Sequence, residues 1–330
     1  MTIIENTREA KPLCSVYSRT QEEDPGGSAP NWKRCVVIEL AKPWAEEVAE
    51  TRHFPTKVKE VLDSAAQRGY ETRLQCVMPD REYSVKGYTR VIYYSRPEGP
   101  FATYSKDEYQ VPRADVGRLV AALLESPDEL RRFDSYRQET RHIRDILVCT
   151  HGSHDVCCAT FGYPIYGDLR DRYARDLGGK LRVWQVSHLG GHRFAPNLLD
   201  MPEGRNWVRL GVENLDALVY RNRPVSEMRA HYRGWVALDG PHEQAVEREV
   251  FMREGWDWAG LQISGRVVKM EQEGQPAQVR IDFADQEGSD SGAYEATVEQ
   301  DGTAPRVGCL SGDDAGVVPQ YVVSRLVRVG

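Results

Sequence analysis

Apolar positions change period several times along this chain, and each change marks an element. Cys35-Val-Val-Ile-Glu-Leu40 is a nearly continuous apolar run of strand length, the pattern of a strand buried on both faces. Val58, Val61, Leu62 and Ala65 then fall on one face at helical spacing, and Gly69 stands where a helix ends in the left-handed region. Three β-like stretches follow: Thr72–Met78, Thr89–Tyr94, and an interrupted strand made of Phe101–Tyr104 and Tyr109–Val111. Pro112 and Asp115 open a second helix with Val116, Leu119, Val120 and Leu123 on its apolar face.

The pattern then repeats without repeating the residues. Asp145–Cys149 predicts a strand, about Tyr166 to Leu177 a helix, and Leu181–Val186 a second strand. Ala195–Asp200 and Asn206–Leu210 flank the turn residues Pro202-Glu-Gly204, and Val212–Tyr220 predicts a closing helix. Each half reads βαβ followed by ββα, the connectivity of a thioredoxin-like domain. Right-handed crossover makes the two strands of each βαβ unit parallel neighbours. Residues 224–258 read as helical, and beyond Gly260 four alternating stretches separated by Gly/Asp/Ser turns predict antiparallel strands with one covered face. The expected architecture is α/β: tandem thioredoxin-like domains with a small C-terminal antiparallel β appendage. The expected segments are 1–138, 139–237 and 238–330. Acidic residues in the appendage turns (Glu287, Asp290, Asp313, Asp314) read as solvated.

Charge and composition narrow the function classes. A net charge of −7 over 330 residues gives no basic footprint for nucleic acid or anionic membrane. No apolar run approaches the roughly 20 residues of a membrane span, and Met1–Pro12 lacks the apolar core of a secretory signal. The expected setting is therefore the cytoplasm, where the seven scattered cysteines stay reduced.

Chemistry concentrates in one place. Cys149-Thr-His-Gly-Ser-His-Asp-Val-Cys-Cys158 is followed by His188-Leu-Gly-Gly-His192, and five of the eight histidines lie between His142 and His192. Cys149 ends the first strand of the later βαβ unit, and His188 follows the end of the second. Neighbouring parallel strands bring those ends together, where open α/β sheets bind ligands. Cys158 lies at the end of the loop that enters the crossover helix, and His192 follows His188 across two glycines. Two sulfur and two imidazole donors suit zinc or an iron–sulfur cluster. Gly190 and Gly191 argue against a helical His-x3-His zinc site and for close backbone approach to a bulky inorganic group. Cys157 is a competing ligand for Cys158, and His151 and His154 are either alternate ligands, proton carriers or, the simpler reading, exposed loop histidines. Arg193 either bonds to the site, docks a partner or is a solvated surface residue.

The Cys149–Cys158 segment, Ser187-His-Leu-Gly-Gly-His-Arg-Phe-Ala-Pro-Asn197 and Pro202-x-Gly204 resemble the sucrase/ferredoxin-like family of thioredoxin-like ferredoxins. Trp32 and Glu39-Leu-Ala-Lys-Pro-Trp44 extend the resemblance toward the N-terminus. It implies a [2Fe–2S] cluster ligated by Cys149, Cys158, His188 and His192, with Cys157 left as a packed neighbour. Neutral imidazoles in place of two thiolates make the cluster less negative. By analogy with Rieske centres, its potential should lie well above the roughly −400 mV of plant-type ferredoxins.

The leading expectation is an electron carrier serving a redox partner protein. A zinc-stabilised binding module and a thioredoxin-like thiol oxidoreductase are the alternatives. The latter lacks Cys-x-x-Cys. Cys35 and Cys76 read as buried strand residues, Cys14 and Cys309 as structural cysteines without Cys or His partners, and Trp184, Trp207, Trp256 and Trp258 as core and interface fillers.

Overall fold

The computed structural model describes residues 13–272, 274–306, 308–309 and 316–329. Met1–Pro12 and the turn acids Asp313 and Asp314 fall outside that range. The first half comprises helix α1 (Cys14–Thr20), strand β1 (Arg34–Glu39), helix α2 (Thr56–Gln67) and strands β2 (Arg73–Val77), β3 (Tyr88–Ser95) and β4 (Ser105–Pro112). Helix α3 (Val116–Glu125) and the two-residue β5 (Arg137–Gln138) complete it. Strand β6 (Arg144–Cys149) starts the second half and leads into α4 (Val156–Asp168). That helix passes through a π turn (Leu169–Tyr173) to the short α5 (Ala174–Asp176). Strands β7 (Leu181–Val186), β8 (Asn197–Met201) and β9 (Arg205–Val208), helix α6 (Leu215–Tyr220) and strand β10 (Tyr232–Trp235) follow. Helix α7 (Pro241–Glu254) connects to β11 (Gln262–Lys269), β12 (Ala277–Ala284), β13 (Ser291–Arg306) and β14 (Gly316–Val329).

Among the described residues, ten strands form one mixed sheet in the order β10-β9-β8-β6-β7-β2-β1-β3-β4-β5, and β11 to β14 form a separate antiparallel sheet. The large sheet holds two equivalent runs, β2-β1-β3-β4 and β7-β6-β8-β9. In each, the first two strands in sequence are parallel and the later ones antiparallel. The runs join edge to edge where Val77 of β2 pairs with Val186 of β7. Around that pair the bonds are symmetric: Met78 N–H donates to the Gln185 carbonyl at 3.0 Å, and Ser187 N–H to the Cys76 carbonyl at 2.8 Å.

The apolar runs come from burial on both faces. Val36 and Ile38 pack with α2 and α3, whereas Cys35 and Val37 face a larger core shared with the second half. Helix α2 closes in a Schellman motif, with Tyr70 N–H donating to the Ala65 carbonyl at 2.9 Å and Gly69 at φ +77°. In the C-terminal sheet, Ala277, Val279, Ile281 and Phe283 of β12 are buried while the residues between them are not. This is the alternation of a sheet covered on one face.

Several elements depart from the sequence reading. Residues 14–20, outside every predicted element, form a helix, because Cys14, Ser15 and Ser18 find a buried seat that their polarity does not advertise. The stretch 224–258 is not one helix: Tyr232–Trp235 pairs with β9, and Gly240 with Pro241 starts α7 afresh. The fourth strand of the first half is not interrupted; β4 begins at Ser105, and Phe101 instead bridges Ile263 of β11. Helix α4 begins ten residues before the expected start. Its two cysteines, Gly162 and Pro164 obscure helical periodicity.

Candidate metal centre

The site is built at the carboxyl ends of β6 and β7. Cys149 is the last residue of β6, opposite Val186, the last of β7. The first turn of α4 comes directly after. Asp155 caps it, accepting from Cys157 N–H at 2.8 Å, and Cys158 therefore lies one turn in, against Cys149. Gly162 permits this close seat, since a Cβ there would fall 2.0 Å from the Cys149 carbonyl oxygen. The result is a buried group in which ligand atoms of Cys149, Cys158 and His188 all lie within 4.8 Å of one another. Cys158 Sγ is 3.8 Å from His188 Nδ1.

The proton is shared unequally. Burial pushes the Cys149 thiol up, but hydrogen bonds with Cys158 and His188 outweigh it and hold it well below the ordinary thiol value. Cys158, the donor to Cys149, is raised by that bond and then by burial. Burial also lowers His188, favouring the neutral imidazole that metal binding requires. Two soft sulfurs, one already inclined to be thiolate, and a neutral nitrogen form a donor set that can hold a metal.

The surroundings fix His188 rather than add ligands. His151, expected on the exposed loop, is buried with both ring nitrogens engaged. Its Nε2 lies 2.7 Å from the Ala45 carbonyl, and its Nδ1 accepts from His188 N–H at 3.1 Å. It is an orienting group, not an alternate ligand. His154 stacks on His188 with ring centroids 3.7 Å apart. Arg73 and Gln75 donate to the His188 carbonyl at 3.1 and 3.3 Å.

His192 lies beside this trio but outside it. Its ring centroid is 5.9 Å from that of His188, and its Nδ1 sits 3.1 Å from Asp155 Oδ2 and 3.2 Å from Cys14 Sγ. The glycines before it let the backbone pass close to neighbouring protein groups. Gly190 and Gly191 take φ of +83° and +72°, and a Cβ on Gly191 would meet the Arg233 guanidinium at 2.7 Å. Arg193 is neither solvated nor at the site: it pairs with buried Glu23 at 2.7 Å.

Two features escaped sequence reasoning. Cys14 and Cys309 do have partners: Cys157 Sγ is 3.3 Å from Cys14 Sγ and 3.2 Å from Cys309 Sγ. The hydrogen bond from Cys14 pulls the Cys157 thiol down to about 6, against burial. The second is Lys42, whose Nζ donates to Thr150 Oγ1 at 2.7 Å, Gln185 Oε1 at 2.8 Å and Tyr163 at 2.9 Å. Burial lowers its pKa to about 8, with the Cys149 charge opposing that shift. No sequence pattern announced either feature, because each joins segments more than a hundred residues apart.

A mixed α/β protein whose clustered cysteines and histidines can hold a metal is the class these features define. The chain belongs to the sucrase/ferredoxin-like family, which matches residues 25–234. It is also similar to two fungal proteins called altered inheritance of mitochondria protein 32. With that of Meyerozyma guilliermondii it shares 20% identity over 243 residues, 64% of this chain and 83% of the relative. With that of Debaryomyces hansenii it shares 38% identity over 60 residues, 18% of this chain and only 22% of the relative. No solved structure matches. Among the described residues, no helix is long and apolar enough to cross a membrane.

Proposed function

We propose that this protein is an electron carrier in which Cys149, Cys158, His188 and His192 hold a [2Fe–2S] cluster, passing single electrons to or from a partner protein. The observation that carries the reading is the buried convergence of Cys149, Cys158 and His188 ligand atoms within 4.8 Å at the sheet's carboxyl edge. The donor set fits: thiolates and neutral imidazoles are the ligands of Rieske-type centres. When bound, such a cluster supplies reversible one-electron chemistry.

The protein's part is to hold and tune the donors. His151 fixes the backbone of His188, and Asp155 Oδ2 lies 3.1 Å from His192 Nδ1, so Nε2 would be the ring nitrogen left free to hold iron. His154 and His188 border an open groove of about 410 Å³ through which a redox partner protein would approach. Zinc in place of iron, in a binding module, is the outcome that metal analysis separates. We further propose that residues 1–138 and 139–237 are each thioredoxin-like, on the strength of their equivalent strand orders, with 238–330 an added region.

Anaerobic purification with visible spectroscopy and iron and sulfide analysis tests the function. About two irons and two sulfides per chain, a Rieske-like reduced EPR signal, and loss of both in His188→Ala and His192→Ala are expected. A colourless, iron-free wild type defeats the proposal.

A further inference from the structure

A second group of donors lies outside the proposed cluster ligands. Cys14, Asp155, Cys157 and Cys309 each bring a ligand atom within 4.8 Å of the others. Cys14 and Cys157 are completely buried and Cys309 partly so. They come from α1, the first turn of α4 and the segment following β13, at separations of 143 and 152 residues. We propose that Cys14, Cys157, Cys309 and the Asp155 carboxylate form a structural zinc site.

The donor chemistry selects the ion. Three thiolates exclude hard cations such as Mg²⁺ and Ca²⁺, and the carboxylate oxygen as fourth donor favours Zn²⁺ over Cu⁺. The carboxylate is already held in place: Oδ1 accepts from Cys157 N–H at 2.8 Å, Oδ2 from Cys309 N–H at 3.3 Å, and both oxygens lie 3.8 Å from Cys14 Sγ. Cys14 N–H donates to Cys309 Sγ at 3.1 Å, the kind of bond that stabilises a metal thiolate.

A disulfide accounts for less of this arrangement. Sulfur separations of 3.3 and 3.2 Å are far beyond the roughly 2.05 Å of a bond, and one bridge would strand the third sulfur. Zinc–sulfur bonds of about 2.3 Å in a tetrahedron set sulfurs roughly 3.8 Å apart, so binding opens the trio by about half an ångström. Each thiol gives up its proton as the ion enters. The ion would tie the N-terminal helix and the C-terminal sheet to the helix that carries Cys158, and Asp155 would touch both centres through its contact with His192.

The test uses the full chain with its iron loaded, dialysed against a chelator and analysed for metals, with zinc-edge X-ray absorption. About one zinc per chain with three sulfur neighbours and one light neighbour is expected. Cys309→Ser should lower zinc affinity at least tenfold while iron and sulfide stay at wild-type levels. Cys149→Ser should do the reverse, removing iron and sparing zinc. Should Cys309→Ser fold poorly, Co²⁺ added to wild type replaces it as the test: the thiolate charge-transfer and tetrahedral ligand-field bands are expected. Absence of zinc and of those bands overturns the site, as does full zinc retention in Cys309→Ser or a wild-type mass 2 Da low from a disulfide. Iron-free protein that still binds zinc through these cysteines sinks the electron-carrier reading alone.

Discussion

The two runs of the large sheet share a frame and differ in what stands at its carboxyl edge. Superposed through the Val77–Val186 pair, Arg34–Glu39 of β1 corresponds to Arg144–Cys149 of β6, so Glu39 occupies the place of Cys149 and Pro79 that of His188. Glu39 accepts from Ser84 Oγ at 2.5 Å and from Arg90 N–H at 3.1 Å, so it works as a buried tether. The connections differ as well. Residues 40–55 separate β1 from α2, whereas only 150–155 separate β6 from α4. The short connection delivers a helix N-terminus, and with it Cys158, to the strand ends. Strand topology supplies the place; connection length and three residue identities decide whether donors that could hold a metal converge there.

The strongest contrast lies four residues earlier in the strands, where Cys35 corresponds to Asp145. Asp145 is fully buried and accepts from Arg182 Nε at 2.8 Å, Trp184 Nε1 at 2.9 Å and Tyr94 at 2.9 Å, with Lys106 also against it. Burial pushes its carboxyl up, but Arg182 and Lys106 outweigh that and hold it well below the ordinary carboxylate range. Asp145→Ala removes one of the two carboxylates of a buried network, leaving Glu108 alone to pair with Arg182 at 2.7 Å and to face Lys106 at 3.9 Å, and should cost about 3–5 kcal/mol in denaturant unfolding. Cys35→Ala, at the matching place, should cost about 1 kcal/mol. Because the folded pKa is depressed, the Asp145 contribution is present above the unfolded value near ~3.9 and is lost as pH falls below it. Acid unfolding of Asp145→Asn should therefore be flatter than that of wild type. Equal losses in Asp145→Ala and Cys35→Ala would mean the second half is not specially braced beneath its site.

Gly162→Ala attacks the short connection. The added methyl meets the Cys149 carbonyl, so α4 must shift at a cost of about 1–3 kcal/mol, and Cys158 moves with it. Gly117→Ala in α3 meets Lys57 Cβ at 2.5 Å and Cγ at 2.6 Å, so there α3 must shift against α2, far from the cysteines. Thermal stability should fall in both variants, and iron content only in Gly162→Ala. His151→Ala comes next. It removes the bond to His188 N–H without removing a ligand, and should lower iron retention about 10–100-fold in a chelator competition. Retention at the wild-type level would show that Arg73 and Gln75, from the first half, suffice to hold His188.

Much of this was legible in the chain because it is local. Strands buried on both faces write themselves as apolar runs, and Cys149, Cys158 and His188 belong to one βαβ unit whose connectivity brings strand ends together. Early α4 was not legible, since two cysteines, Gly162 and Pro164 carry no helical period. The Cys14–Cys157–Cys309 trio was invisible for a different reason. Its members are joined only by tertiary packing across both added ends of the chain, and no spacing rule connects residue 14 to residue 309. His192 lies beside the others, its ring 5.9 Å from that of His188, but its side-chain direction depends on Asp155 and Cys14.

The first half still reaches into the chemistry, through Lys42 on its long connection. Lowered only to about 8, its ammonium remains mostly protonated at neutral pH, and it is fixed by Thr150, Gln185 and Tyr163 beside Cys149. A fixed cation stabilises whichever state of a neighbouring centre carries more negative charge, which for an electron carrier is the reduced one. Lys42→Met keeps most of the stem's packing and removes the charge, so the reduction potential should fall. The expected shift is about 59 mV or less, a tenfold change in a one-electron equilibrium. Lys57→Met, which removes an exposed lysine in α2, supplies the control for net charge. Voltammetry at two ionic strengths separates the cases, because a partly buried cation is poorly screened and an exposed one is not. A fall confined to Lys42→Met and persisting in salt makes the first half an electrostatic partner of the site. Equal responses of the two variants reduce it to scaffold.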